Sequence, residues 1–203
     1  PAVRILEASP LDEVDAIVTN AAGCGSGMHE YPLLFAGTEH EERAARFAEK
    51  VRDVSDFLAE LGPRPAPRLA APMKIAYHDA CHLAHAQGIR SAPRSLLATI
   101  PGVTLVPLAE SEICCGSAGT YNVEQPEIAR ALGRRKAEAV LASGADVVVT
   151  GNIGCINQIT MHLAALGANV PVMHTMEVLD LAYGGEQAEE SAFSMSARSS
   201  VGR

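Results

Sequence analysis

The residues that could do chemistry in this sequence are five cysteines at positions 24, 81, 114, 115 and 155. An odd number with two adjacent members is a poor basis for a disulfide scaffold. Thiolates bind soft metals and iron–sulfur clusters, and the last four cysteines each lie in or at the end of a loop that follows a predicted strand. The vicinal pair Cys114 and Cys115 favours a cluster of several irons, because neighbouring sulfurs can bind two different irons, whereas joint ligation of one tetrahedral ion is awkward. The sequence therefore predicts that Cys81, Cys114, Cys115 and Cys155 converge on a [4Fe–4S] cluster.

Three other interpretations of these cysteines stay open. Free cysteines are often small buried hydrophobic residues. Four thiolates also suit a structural zinc ion. A redox-active thiol pair is the third alternative.

Several neighbouring residues could support a metal centre. His78 and His82 flank Cys81 and could tune or ligate a cluster or move protons, although loop histidines often bond only to the backbone. Gly116 would let the backbone approach a cluster and direct N–H groups at its sulfides. His174 follows a predicted strand and could face the same sheet edge. The basic run at 134–136 is interpreted as a solvated helix face.

The elements that must position these residues are strands alternating with helices. In the first part of the chain, the pattern predicts a strand at 14–19 and one helix at 39–61, opened by a capping box at Thr38. In the second part it predicts strands at 74–77, 103–107, 146–150 and 170–173, and helices at 92–100, 125–143, 155–166 and 176–183. This alternation predicts an α/β, three-layer fold around a largely parallel sheet.

An internal repeat organises the chain. Residues 15–24 match residues 146–155 at a constant offset of 131, with Asp, Val, Thr, Gly and Cys coincident. The alternative is a chance match of two buried strands. We expect four regions: the C-terminal part of a first unit (1–61), a Pro-rich linker (62–72), a complete second unit (73–183) and a disordered tail (184–203). On this interpretation the chain is the C-terminal part of a longer protein, and Cys24 is the first-repeat counterpart of Cys155.

Composition excludes some classes of function. The 203 residues are 48% hydrophobic and 20% charged, with a net charge of −8, so a packed core is expected and a nucleic-acid partner is not. No apolar run reaches the roughly 20 residues of a membrane span, and no signal peptide is visible. A cytoplasmic location is expected.

The cysteine spacing resembles that of a known family. Cys81, followed after 32 residues by Cys114-Cys115-Gly116 and then by Cys155, resembles the cysteine-rich CCG domain of heterodisulfide reductase-type subunits, in which two such domains occur in tandem. Residues 78–83, 114–122 and 150–155 are similar to the iron–sulfur subunit of glycolate oxidase. Residues 22–25 and 30–34 resemble the end of the first CCG domain of that subunit.

The resemblance implies an electron-transfer subunit without catalytic residues of its own. Its partners would be flavoprotein subunits that oxidise a 2-hydroxy acid such as glycolate, and electrons would pass toward a quinone. The resemblance also implies an N-terminal ferredoxin-like region, which we expect to lie outside residues 1–203. The subunit would lie in the cytoplasm or against the inner face of the membrane, and a fragment could lose its cluster.

One departure from the family pattern bears on the cluster type. The pattern ends in C-x-x-C, but Asn152 stands where the first of these cysteines would be, so only Cys155 remains. This argues against a five-cysteine non-cubane cluster, leaves a four-cysteine cubane as the expectation and makes Asn152 a supporting residue. Two alternative functions are a heterodisulfide or thiol reductase module and a zinc-binding interaction scaffold.

Overall fold

The computed structural model describes residues 2–67, 69 and 71–184. All the strand pairs in this part of the chain are parallel, and helices connect or cover them. The disordered tail predicted for 184–203 lies, apart from Gly184, outside the described residues. None of the helices in the described ranges is long and apolar enough to cross a bilayer.

The first part of the chain forms a small two-stranded sheet with helices around it. Its elements are α1 (Ala2–Ala8), β1 (Ile17–Thr19), α2 (Ala22–His29), α3 (Tyr31–Leu34), α4 (Glu41–Lys50), β2 (Val51–Asp53) and α5 (Val54–Leu61). β1 pairs with β2, with Ile17 opposite Val51. This part has a hydrophobic core of its own, which contains Leu6, Leu11, Phe35, Ala44, Phe47 and Val51.

The prediction of a single helix at 39–61 is wrong. The chain leaves the helical conformation after Lys50, forms the strand β2 and starts α5 at Val54. Asp53 caps α5, because its carboxylate accepts the Ser55 N–H at 2.8 Å. Of the apolar positions spaced by three and four residues, Phe47 and Val51 are buried, whereas Leu61 is exposed. Val51 is buried by strand pairing rather than by a helix face.

The second part of the chain forms a four-stranded sheet. Its elements are β3 (Met73–Tyr77), a π-helical turn (His82–Ala86), α6 (Ser91–Ala98), β4 (Val103–Val106), α7 (Tyr121–Glu124), α8 (Pro126–Ser143), β5 (Val147–Thr150), α9 (Ile153–Ala165), β6 (Val172–His174) and α10 (Thr175–Gly184). The strand order is β4-β3-β5-β6. The four strands predicted in this part are confirmed.

Helices cover both faces of this sheet, which confirms the predicted α/β, three-layer fold. Ile75, Tyr77 and Val149 face a core formed with α5, α6 and α10. Val148 faces the opposite core, formed with α8 and α9. Strands buried on both faces read as continuous apolar runs, which is why 147–149 is Val-Val-Val.

The strand order places a crevice between β3 and β5. From β3 the chain moves to β4 on one side of the sheet, and then returns to β5 on the other side. In open parallel sheets, ligands bind beyond the carboxyl ends of the strands at such a reversal of order. Cys81 lies in the loop after β3, and Cys155 follows β5 in the first turn of α9.

The repeat seen in the sequence extends further in the structure. β1, α2, β2 and α5 occur in the same order as β5, α9, β6 and α10, with α3 and α4 inserted between α2 and β2. In both cases the two strands pair in parallel. The two parts also contact each other: the Ala22 N–H donates to the Gly151 carbonyl at 3.1 Å. Between them, the described residues of 62–72 form neither helix nor strand, but Ala66 and Leu69 are buried in the core beside α5 and α6.

Candidate metal centre

Three loops bring four cysteines together at the carboxyl edge of the sheet. Cys81 comes from the loop after β3, Cys114 and Cys115 from the loop after β4, and Cys155 from the first turn of α9 after β5. Their thiols form a continuous series of contacts, from Cys81 to Cys114, from Cys114 to Cys115 and from Cys115 to Cys155. The cysteines predicted to converge therefore do so, at the reversal of strand order.

The centre is closed at one end and open at the other. Cys115 and Cys155 are buried, whereas Cys81 and Cys114 are half-buried. A ring nitrogen of His78 and the sulfurs of Cys115 and Cys155 all lie within 4.8 Å of one another. The most compact donor group is therefore the buried one, and Cys114 and Cys81 extend it toward the surface.

Contacts among the thiols lower the pKa of some of these cysteines and raise the pKa of others. Contact with the Cys115 and Cys81 thiols lowers the pKa of Cys114, and the Gly116 N–H adds to this effect. Contact with Cys115, and then with His78, lowers the pKa of Cys155 to about 5. The pKa of Cys115 is raised, because its thiol lies between these two neighbours and is buried. Thiolate is the form that ligates metal, so the lowered pKa values of Cys114 and Cys155 favour ligation.

The histidine on the loop after β3 is held in a fixed orientation. His78 is fully buried, and its Nδ1 lies 3.0 Å from the Ser111 carbonyl oxygen. That carbonyl also accepts the Asp79 N–H at 3.0 Å. The loop after β3 is therefore fastened to the loop that carries the vicinal cysteines.

An ion pair between buried Asp79 and partly exposed Arg94 connects the same loop to α6. Asp79 accepts two hydrogen bonds from Arg94, both at 2.6 Å, and the guanidinium lies over the Tyr77 ring at 4.7 Å from its centroid. Burial alone would raise the pKa of Asp79, but Arg94 and Ser111 outweigh it and hold this pKa below its ordinary value. Sequence reasoning missed this pair, since Arg94 lies 13 residues after Cys81, outside the cysteine motif that contains Asp79.

The vicinal cysteines depend on the glycine that follows them. Gly116 has φ of +91°, and a Cβ there would collide with the Ala129 carbonyl oxygen of α8. Its N–H donates to the Cys114 sulfur at 3.3 Å. The prediction that Gly116 directs an N–H at the sulfides of a cluster stays a prediction, and the observed N–H acceptor is the sulfur of Cys114. Ala118 also has positive φ, at 25°, so the loop is strained beyond its glycine.

Asn152 lies at the centre, where it bridges the two parts of the chain. Its side-chain N–H donates to the Cys155 sulfur at 3.6 Å, while its carbonyl oxygen accepts the Gly23 N–H at 3.3 Å. An amide can donate to sulfur, but it does not replace a thiolate ligand. Gly154 lets the start of α9 pack closely against Ser117, because a Cβ at Gly154 would lie 2.6 Å from the Ser117 hydroxyl oxygen.

Lys136 is the main site residue that sequence reasoning placed wrongly. The interpretation of the basic run as a solvated face fails here, because Lys136 is only 2% exposed and its ammonium donates to the Glu110 carbonyl. Burial lowers the pKa of Lys136, while negative charge at Cys115 acts in the opposite direction. Helical spacing could have revealed it, since Lys136 shares the buried face of α8 with Ala129, Gly133, Ala137 and Val140.

Three of the candidate residues lie outside the cluster of thiols or at its margin. Cys24 is exposed on α2. His174 caps α10, where its Nδ1 accepts the Met176 N–H at 3.1 Å. His82 is half-buried, with its Nδ1 3.6 Å from the Cys81 sulfur.

The donor set fits an iron–sulfur cluster. Four thiols reach the centre from three loops, a buried ring nitrogen of His78 has no hydrogen-bond partner among the described residues, and Lys136 supplies a buried positive charge. A cluster bound by thiolates is anionic, so a buried cation beside it offsets part of its charge. The thiols do not all lie within 4.8 Å of one another, which suits several metal ions better than one.

Comparison with known proteins agrees with the site. Residues 75–160 match the family described as "Cysteine-rich domain" (CCG). The chain is 36% identical over 82% of its length to the "Probable glycolate oxidase iron-sulfur subunit" of Bacillus subtilis. It is 31% identical over 88% of its length to "Lactate utilization protein A" of an Exiguobacterium species. It is also 35% identical over 87% of its length to a subunit of the "Fumarate reductase (CoM/CoB)" of Methanothermobacter marburgensis.

These relatives differ in how much of them the chain spans. It covers 38% of the glycolate oxidase subunit and 34% of the fumarate reductase subunit. It covers 74% of lactate utilization protein A, so the likeness extends over most of that protein. The matched region contains Cys81, Cys114, Cys115 and Cys155. The chain therefore belongs to the cysteine-rich CCG family, together with lactate utilization protein A.

Proposed function

We propose that this chain is the cluster-binding part of an iron–sulfur electron-transfer subunit in a flavin-dependent dehydrogenase of 2-hydroxy acids of the glycolate or lactate type. The observation that carries the proposal is the convergence of Cys81, Cys114, Cys115 and Cys155 at the reversal of strand order. The names of the relatives supply the reaction class. A flavoprotein subunit would oxidise the acid, and a quinone would be the final acceptor.

The cysteines would hold a [4Fe–4S] cluster, which accepts and passes one electron at a time. Cys115 and Cys155 would bind it at the buried end, and Cys81 and Cys114 at the half-buried end. The half-buried end is then the side at which a redox partner would approach. Gly116 would direct its N–H at the sulfur of Cys114, and such hydrogen bonds raise the potential of a cluster.

The domain organisation and the location belong to the same proposal. Residues 73–183 would form one complete CCG unit, and residues 1–61 would correspond to the second half of a preceding unit, separated by the segment 62–72. The matching order of β1, α2, β2 and α5 with β5, α9, β6 and α10 supports this division. A ferredoxin-like region and flavoprotein subunits would be its partners, on the cytoplasmic side of the membrane.

Anaerobic reconstitution tests the proposal directly. The full chain is incubated with iron and sulfide, and the iron and sulfide bound per chain are counted before and after dithionite reduction, with EPR of the reduced form. We expect about four irons per chain, as a [4Fe–4S] cluster requires, and an EPR signal on reduction. Cys115→Ser should abolish the cluster, and Cys24→Ser, which changes an exposed cysteine away from the centre, should leave it intact.

Zinc is the second candidate, and one observation favours it. His78, Cys115 and Cys155 form a compact group of three donors, which resembles the donor count of many zinc sites. A chain that takes up no iron or sulfide but binds one zinc ion tightly would refute the electron-transfer proposal in favour of a zinc-stabilised scaffold. A thiol reductase module is less well supported, because Asn152 stands where the family pattern has a further cysteine.

A further inference from the structure

The buried histidine of the centre has one ring nitrogen without a partner. His78 is fully buried, and its Nδ1 faces the Ser111 carbonyl at 3.0 Å. Its Nε2 has no accessible surface and no hydrogen-bond partner among the described residues. Buried polar atoms are almost always satisfied, so this nitrogen calls for an explanation.

The bond to Ser111 fixes the tautomer. A carbonyl oxygen has no proton to give, so the Nδ1 of His78 must carry the hydrogen of the neutral ring. The Ser111 carbonyl is itself held by the Asp79 N–H at 3.0 Å, and Arg94 holds the Asp79 carboxylate. The ring therefore has a fixed orientation, with the lone pair on Nε2.

The free nitrogen lies against the buried thiols. One ring nitrogen of His78 lies within 4.8 Å of both the Cys115 and the Cys155 sulfurs, and Nδ1 is already engaged by Ser111. With Nδ1 held by the Ser111 carbonyl, Nε2 is the ring nitrogen that remains available to a metal ion bound by these thiols.

We infer that His78 binds metal through Nε2 at the buried end of the centre, next to Cys115 and Cys155. The inference deepens the proposed function and rests on metal occupying this site. Asn152, the residue at the position of the missing family cysteine, only donates to the Cys155 sulfur. His82 offers the contrast, since it is half-buried and its Nδ1 is 3.6 Å from the Cys81 sulfur, beyond the compact donor group.

An imidazole ligand has a measurable consequence for a cluster. It is neutral, whereas a thiolate carries a negative charge, so replacing thiolate by histidine raises the reduction potential of iron–sulfur centres. His78→Cys, which would make every donor a thiolate, should therefore lower the potential relative to the unaltered chain. His29→Cys, which changes an exposed histidine at the end of α2, should leave the potential close to its original value.

The decisive experiment is pulsed EPR on the reconstituted, reduced full chain labelled with ¹⁵N only at histidine. We expect one strongly coupled nitrogen, lost in His78→Gln and retained in His82→Gln. A loaded cluster whose only histidine coupling is weak would overturn the inference, because it would mean that the ring donates a hydrogen bond to sulfur instead of binding iron. Loss of the strong coupling in His82→Gln alone would also overturn it.

A metal-ion titration keeps this test separate from the test of the proposed function. If no cluster forms, the electron-transfer proposal fails, and Co²⁺ alone is then added to the same proteins. His78→Gln should weaken Co²⁺ binding at least tenfold and alter its visible absorption, whereas His82→Gln should do neither. Equal affinity and equal spectra for the unaltered chain and His78→Gln would overturn the inference. Labelled unaltered protein gives the EPR answer even if His78→Gln does not fold.

Discussion

Gly116 is the residue on which the position of the vicinal cysteines depends most directly. Its φ of +91° is in the left-handed region, and the Ala129 carbonyl oxygen occupies the space that a Cβ would need. Two separate penalties therefore apply to any side chain there, one for the backbone conformation and one for the clash. The third residue of the motif is glycine for a steric reason.

Gly116→Ala should lower the free energy of unfolding by about 2–4 kcal/mol. Gly119→Ala is the matched control, because Gly119 also has positive φ, +61°, but no atom of the described residues lies within 4 Å of the position that its Cβ would take. The control should lose only about 1 kcal/mol. Urea unfolding followed by circular dichroism measures both, and equal losses would mean that the Ala129 contact is unimportant.

Lys136 is expected to set the charge balance of the centre. It is 2% exposed, and its ammonium is close enough to Cys115 to be affected by negative charge there. A nearby cation stabilises the reduced, more negative form of a cluster. Lys136→Met should therefore lower the reduction potential, while Lys136→Arg should hold it nearer its original value. A redox titration monitored by EPR measures this, and a higher potential in Lys136→Met would contradict the charge argument.

Sequence reasoning found the thiols and missed the residues that orient them. Cys81, Cys114, Cys115 and Cys155 are visible because their type and spacing are unusual. The Ser111 carbonyl is a backbone group that no sequence motif marks. Lys136 is part of a basic run, which suggests an exposed helix face. Its helical position nevertheless places it on the buried face of α8.

At the scale of elements, the Asp79–Arg94 pair couples the loop after β3 to α6. Asp79 is buried, with 3% of its side chain exposed, and Arg94 is 34% exposed. Removing one partner of a fully buried pair costs about 3–5 kcal/mol, and the partial exposure of Arg94 reduces this cost. Asp79→Asn should therefore lower the free energy of unfolding at pH 7 by about 2 kcal/mol.

The pH dependence of this loss has a definite sign. Because the pKa of Asp79 is lowered in the folded state, its contribution is present above the pKa of the unfolded chain and is lost as the pH falls through the folded pKa. The unaltered chain and Asp79→Asn should thus converge in stability at acidic pH. Asp56→Asn, in the surface pair with Arg52, is the control and should change stability by less than about 1 kcal/mol. Urea midpoints between pH 3 and 7 test this, and a constant difference would contradict it.

The elements of the second part were predictable because each strand is a short apolar run bounded by turn residues. β2 was not, because Phe47, Val51 and Val54 keep a helical spacing across it and its three residues gain their conformation from pairing with β1. A non-local contact cannot be read from local periodicity. The repeat held the missing information, since β2 occupies the place of β6.

At the scale of the whole molecule, the two parts of the chain share their cores. Leu58 and Ala59 of α5 pack against the core that contains Leu97, and Ala22 is buried in the core that contains Cys115 and Cys155. The Ala22 N–H also donates to the Gly151 carbonyl. Shared cores make independent unfolding of the parts unfavourable, so we expect the chain to unfold as one cooperative unit.

Leu11→Ala tests this cooperativity. Leu11 is 2% exposed and belongs to the hydrophobic core that lies within the first part of the chain. The substitution should lower the free energy of unfolding by about 2–5 kcal/mol. If unfolding is cooperative, hydrogen exchange of the slowest amides should accelerate by the same factor in β5 as in β2, although β5 lies far from the change in sequence.

Leu97→Ala is the reciprocal variant, because Leu97 is fully buried in a core of the second part. It should accelerate the slowest exchange in β2 as much as in β5, measured by mass spectrometry of peptides from the intact chain. Acceleration confined in each variant to the part that carries the substitution would mean that the two parts unfold independently. The contacts of Ala22 and Asn152 would then not couple the first part to the metal centre, and the thiol geometry would depend on the second part alone.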